Sequence, residues 1–299
     1  MIKLPFSVFS KADSYAFMNG RRIQYDFVEE SEVYNNDYMS RSTIPDDINE
    51  KKHILFLGDS FIFGDKLSNN ETIPEHFEKI INNDEYCVIN LAINGSSLDH
   101  AILRLYQWCN SFPNNIHSIY LGVTGLSRST HWTCRAEHDS PKEPLKPFKN
   151  HPEHIERFDF VVSSPPDRWD SPAGASQYSM YKAQSKLISK VNSLKKLEES
   201  LIQVKYIANV HNFKVYTFST IQNDWLEAQS SSLNEKSIHE MIEILIADDN
   251  FIYQWRPEKM PMGAGYESVK KFLLPCGHWN SDGCNHVAEH VMNDTKNWY

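Results

Sequence analysis

The run "HILFLGDS", residues 53–60, is apolar almost without a break until Gly-Asp-Ser ends it. A strand with one wet face would alternate apolar and polar residues. A continuous run instead predicts a strand covered on both faces, as in a buried parallel sheet. "YCVINLAING" (86–95), "SIYLGVTG" (118–125) and "FKVYTFST" (213–220) read as further strands. Between these runs the period becomes helical. In "ETIPEHFEKIINND", Pro74 suits a first turn, and Phe77, Ile80 and Ile81 recur at helical spacing. In "SLDHAILRLYQWCNSF", Ala101, Leu105 and Trp108 share one face. Further helices are expected over about 178–210, over "SIHEMIEILIADD" and over about 281–293, where Val287 and Val291 offer an apolar side. Strands alternating with helices predict an α/β protein with a mainly parallel sheet.

Two stretches break the alternation. Residues 1–50 are polar and mixed, and read as an irregular lead-in packed on the domain. Residues 129–176 are rich in Pro, His and Trp, with no apolar pattern that could build a separate core, so they read as an insertion. A structureless excursion of that length is uncommon unless it is functional or covers something. Sheet-forming runs lie on both sides of it, so 51–299 is read as one domain. A chain of 299 residues is long enough to bury a proper core.

Composition narrows the class. Hydrophobic content of 40% with 23% charged residues fits a soluble globular protein. A formal charge of −9 repels phosphate backbones and no basic stripe offsets it, so no nucleic-acid partner is expected. No apolar run reaches ~18 residues, so no membrane span is expected. The start, "MIKLPFSVFSKADSY", lacks a basic head followed by a long apolar stretch, so no secretory signal is read there. Five cysteines, odd in number and irregularly spaced, suit a reducing compartment. A cytoplasmic location is the resulting expectation.

In open α/β sheets, ligands bind beyond the carboxyl ends of the strands. Three such ends carry chemistry here: Gly58-Asp59-Ser60, Asn94-Gly95 and Gly122 to Gly125. Ser60 can present a hydroxyl and a backbone N–H to the crevice, although Gly-Asp-Ser taken alone is also an ordinary strand-to-loop turn. A serine nucleophile needs a base and donors for the developing oxyanion. "CGHWNSDGCNHVAEH" (276–290) supplies the histidine, with His278 in a polar loop before the last helix. The same stretch invites a metal reading, but Cys276, His278, Cys284, His286 and His290 match no common zinc spacing. His286 and His290 read as solvent-side helix residues. No metal and no cofactor is expected, unless a site bridges this stretch and the histidines of the insertion.

The ordered blocks "FLGDSFIFG", "NLAINGSS", "YLGVTG" and "GHWNSDG" resemble the SGNH (GDSL-like) hydrolases. The resemblance covers most of 53–128 and returns at 270–291. "YNNDYMSR" also looks like the Asn…Gly-Phe-Arg segment that precedes the serine block in relatives. The family implies a three-layer α/β/α sandwich of the flavodoxin-like kind. It implies Ser60 as nucleophile and oxyanion donor, Gly95 as a second backbone donor and His278 as base. Acyl transfer through an acyl-serine follows, usually hydrolysis of an ester or O-acetyl group.

The chain departs from the family at two places. Thr124 stands where an asparagine donor is usual, and it can be read as a hydroxyl donor or as a plain strand residue. Pro275 and Cys276 stand where an aspartate normally orients the histidine, so Cys276 marks the orienting position without an acid. Asp282 is near, but reads as a helix cap. Asp59 reads as a local acceptor shaping the serine turn. Arg128 is a candidate contact for an anionic substrate or a structural arginine. Trp132, Trp169 and Trp279 are read as a sugar platform or as packing.

Two functions remain in view. The first is a serine esterase acting on an O-acylated carbohydrate or other small ester, with O-acyl transfer as a close variant. The second is a binding or structural module, in a larger assembly or a virus particle, that has lost catalysis along with the acid.

Overall fold

The computed structural model describes residues 16–18, 21–23, 40–93, 96–123, 129–134, 158–163, 190–219, 233–246, 248–254, 270–275 and 277–299. β1 (Ala16–Met18) and β2 (Arg21–Ile23) form a short antiparallel pair in the lead-in. The first three apolar runs become β3 (Lys52–Leu57), β4 (Tyr86–Asn90) and β5 (Ile116–Val123). β6 (Ser129–Cys134) and β7 (Phe158–Ser163) pair antiparallel within the insertion. The fourth run becomes β8 (Lys214–Ser219), and β9 (Phe251–Gln254) follows it. The helices are α1 (Ser60–Phe63), α2 (Ile73–Ile81), α3 (Leu98–Ser111), α4 (Lys190–His211), α5 (Leu233–Ile246) and α6 (Ser281–Thr295).

The central sheet has the order β4-β3-β5-β8-β9, and every neighbouring pair is parallel. Successive residues of β3 point to opposite faces. Ile54 and Phe56 join Phe77 of α2 and Val287, Ala288 and Val291 of α6. Leu55 and Leu57 join Ala101, Leu105 and Trp108 of α3, with Leu197 and Leu201 of α4 and Ile242 and Ile246 of α5. Both faces are covered, which is why the strand sequence is continuously apolar. Each fully buried Leu, Ile or Phe contributes about 1.5–3 kcal/mol of transfer free energy. The expected three-layer sandwich with a mainly parallel sheet is the observed fold.

Some expectations shift at the edges. β4 ends at Asn90, short of the apolar residues that follow, because the Asn90 side chain turns the chain by accepting from Ala92 N–H. Ile80 is 38% exposed, so Ile73 and Phe77 carry the buried side of α2. The portion of the long helix expected before Lys190 lies outside the described residues. Among the described residues no helix is long and apolar enough to cross a membrane.

The chain leaves β3 for β4 on one side, then returns to place β5 on the other. That reversal is a topological switch point at the carboxyl ends of β3 and β5, the place where ligands bind in open sheets.

Candidate active site

Ser60 sits three residues past the end of β3, at the first position of the one-turn helix α1. The turn into it depends on Gly58, whose φ is 153°. A Cβ there would lie 2.7 Å from Ile62 Cγ1 and 3.0 Å from the Gly122 carbonyl oxygen at the end of β5. Asp59 caps the helix by accepting from Phe61 N–H at 3.0 Å, the turn-shaping role expected of it. The Ser60 N–H belongs to the first turn, where an α-helix provides no internal acceptor.

α1 closes at Gly64 in the left-handed region, φ 81°. The N–H groups of Gly64 and Asp65 both donate to the Ser60 carbonyl at 3.0 Å. The other carbonyls at this helix end are held from the lead-in and from β4. Arg41, almost fully buried, donates to Phe63 O at 2.6 Å, Gly64 O at 2.5 Å, Leu67 O and Asn69 Oδ1. The Arg41 guanidinium also lies over the Phe63 ring. Asn90 donates to Ile62 O at 3.1 Å. Ser40 and Ser42 bond the Asn90 backbone, which docks this part of the lead-in on β4.

His278 reaches the same end of the sheet from a tight turn before α6. Leu273 and Trp279 form an isolated bridge, and Leu274 N–H donates to His278 O at 2.7 Å. Trp279 is buried in the core beside α6, so it anchors the turn and is not a sugar platform. Asn280, not Asp282, caps α6: its side chain accepts from Gly283 N–H at 2.9 Å, and Asp282 lies exposed in the first turn.

The turn brings His278 Nε2 within 2.9 Å of Ser60 Oγ across 218 positions of sequence. The Phe61 ring packs 5.0 Å from the imidazole. The other ring nitrogen, Nδ1, faces Asp65 Oδ2 at 3.6 Å. Sequence reasoning looked for a carboxylate just before the histidine and did not consider Asp65. The available signal was an acid directly after the glycine that ends the serine helix.

Gly95, Thr124, Arg128 and Cys276 lie outside the described residues, as do Asn94 and Trp169. The side chain of Trp132 does too. Elsewhere on α6, His286 is exposed and stacks on Phe272, and His290 Nε2 lies 3.7 Å from Asp294. Cys284 is buried against the core, where burial pushes its thiol up to about 12. Among the described residues no group of three or more His, Cys, Asp or Glu side chains is placed to hold a metal ion. The buried His53 shows what a structural histidine looks like here. It donates from Nε2 to Ile48 O and accepts from Trp108 Nε1–H, and burial lowers its pKa.

No known protein-family model matches the sequence, and no curated protein sequence matches it. Solved structures do show similarity. The crystal structure of TesA is 10% identical with a TM-score of 0.45, over 83% of this chain and 100% of TesA. The psychrotrophic esterase EstA from Pseudoalteromonas sp., inhibited by monoethylphosphonate, is 12% identical with a TM-score of 0.46, over 83% of this chain and 98% of EstA. The acetyl xylan esterase AlAXEase is 15% identical with a TM-score of 0.44, over 81% of this chain and 98% of that enzyme.

Proposed function

We propose that this chain is a serine hydrolase that cleaves an ester through an acyl-serine intermediate. The observation that carries the reading is the 2.9 Å approach of His278 Nε2 to Ser60 Oγ at the sheet's switch point. In the neutral ring with Nδ1 protonated, Nε2 is the acceptor that the serine hydroxyl needs.

Ser60 Oγ attacks the ester carbonyl carbon and passes its proton to Nε2. The Ser60 N–H, with donors contributed by Gly95 and Thr124, holds the oxyanion. The tetrahedral intermediate collapses, and the departing alkoxide takes the proton from the imidazolium. Water, deprotonated by the same nitrogen, then attacks the acyl-serine. The acid is released and Ser60 recovers its proton. The substrate class is an O-acetyl or other O-acyl ester of a carbohydrate or small molecule, a reading supported by the resemblance of the sequence blocks. Arg128 is assigned to an anionic part of that substrate.

The non-enzymatic reading rests on the missing acid before His278 and on Thr124 in place of the asparagine donor. Its first support weakens because a carboxylate faces the ring from elsewhere. Turnover of p-nitrophenyl acetate tests the proposal. Wild type is expected to hydrolyse it well above the rates of Ser60→Ala and His278→Ala. Equal rates for all three proteins contradict it.

A further inference from the structure

We propose that Asp65 is the acidic positioning residue of this site, orienting His278 and balancing the charge the imidazole gains, in place of an aspartate before the histidine. The proposal rests on the reading of Ser60 and His278 as nucleophile and base.

The two ring nitrogens set the requirement. Nε2 can accept the Ser60 proton only if the resting ring carries its proton on Nδ1. That N–H faces Asp65 Oδ2 at 3.6 Å, while Nε2 faces Ser60 Oγ at 2.9 Å. The distance is longer than a hydrogen bond, and catalytic contacts of this kind commonly shorten once substrate is bound. When Nε2 takes the proton, the positive ring lies beside a carboxylate that is only 7% exposed, where water screens the pair poorly.

Asp65 sits in a turn closed by several hydrogen bonds. Asp65 N–H is bonded to the Ser60 carbonyl, so nucleophile and acid share one turn. Arg41 fixes that turn by holding the Phe63, Gly64 and Leu67 carbonyls on both sides of Asp65. Lys66, next in sequence, has φ 64°, a left-handed conformation that a lysine keeps only where its surroundings impose it. The neighbouring acids have other duties. Asp59 accepts from Phe61 N–H, and Asp282 is exposed on the first turn of α6.

The test compares wild type, Asp65→Asn and Asp65→Glu by p-nitrophenyl acetate kinetics, covalent labelling of Ser60 by a fluorophosphonate, and thermal melting. The kinetics run across about pH 5 to 10. Asp65→Asn is expected to lower kcat by about 10²- to 10⁴-fold with little change in KM. The rising limb of its pH profile should move to lower pH, because the imidazolium loses its partner. Asp65→Glu should restore part of both. A folded Asp65→Asn with wild-type kcat and an unmoved pH profile overturns the role, since a merely structural aspartate would change melting alone. If wild type neither turns over substrate nor labels at Ser60, the nucleophile assignment fails, and Asp65 falls with it. Should Asp65→Asn not fold, the wild type decides by NMR. A strongly downfield imidazole Nδ1–H proton in the wild-type fluorophosphonate adduct, where the ring is charged and the contact closes, supports the pair, and its absence from that adduct overturns it.

Discussion

Asp65 donates its backbone N–H to the carbonyl of Ser60 at 3.0 Å. This bond folds the chain after α1 back on itself and holds the serine and the carboxylate in one turn. Anything that loosens the turn should therefore disturb both partners of His278 together.

Gly64 is the hinge of that turn. Its φ of 81° suits glycine, and a Cβ would stand 2.7 Å from Thr72 Cγ2 and 3.3 Å from Arg41 Nη1. Gly64→Ala is expected to lose about 1–3 kcal/mol, from left-handed backbone strain together with displacement of Thr72. Urea unfolding measures the loss, and kcat should fall with it. Unchanged stability would mean the turn tolerates a side chain.

Arg41 should matter to activity although it lies outside the Ser60–His278 pair. Arg41→Met leaves the carbonyls of Phe63, Gly64 and Leu67 without their charged donor. Charge-assisted bonds of this kind are worth more than neutral ones, and the expected cost is about 3 kcal/mol or more. Arg41→Lys keeps the charge but cannot span several carbonyls at once, so it should recover only part. Thermal melts with parallel turnover assays would check both variants.

How much of this was legible in the sequence depends on whether the signal was local. β3, β4 and β5 announce themselves because burial on both faces favours largely apolar runs, whereas β8, with Lys214 and Thr217, is a weaker signal. β9 does not announce itself, since "FIYQ" is short and only Phe251 of it is fully buried. Ser60 and His278 are legible as motifs paired by the family resemblance, and the fold brings them together. Asp65 carries only a faint local signal, an acid after a glycine, for a physical reason. Its position beside His278 needs a one-turn helix, a left-handed glycine and an arginine from the lead-in, none of which leaves a periodic pattern. The same holds for the cap of α6. Asn280 and Asp282 are both good capping residues, and only the direction of the chain leaving Trp279 selects Asn280.

Cys276→Asp now has a definite expectation. If Asp65 already serves His278, a second carboxylate placed two residues before the histidine should leave kcat near the wild-type value. A large increase would show that the histidine lacks an effective acid. Steady-state kinetics on p-nitrophenyl acetate distinguish the two.

Glu75 should make stability depend on pH. Burial, with added repulsion from Glu78, pushes its carboxyl from 4.5 up to about 7, against the pull of Lys79, the Ser42 hydroxyl and Arg41. Between those values the folded protein keeps the proton and the unfolded chain releases it. Stability from this group is therefore lost as pH rises through the window, and the loss levels off above about 7. Glu75→Gln should remove this dependence and gain on the order of 1 kcal/mol at neutral to alkaline pH, after discounting for partial exposure. Melting temperatures of both proteins at about pH 5 and about pH 8 would show it as converging and diverging curves. Parallel curves would contradict it.

The proposed hydrolysis depends on activation of Ser60 as a nucleophile by His278. It is tested most directly by treating the protein with a fluorophosphonate and locating the adduct by peptide mass spectrometry. The expected result is a single adduct on Ser60 in wild type, far slower labelling in His278→Ala and none in Ser60→Ala. An unlabelled wild type, or an adduct that persists in Ser60→Ala, would contradict the account.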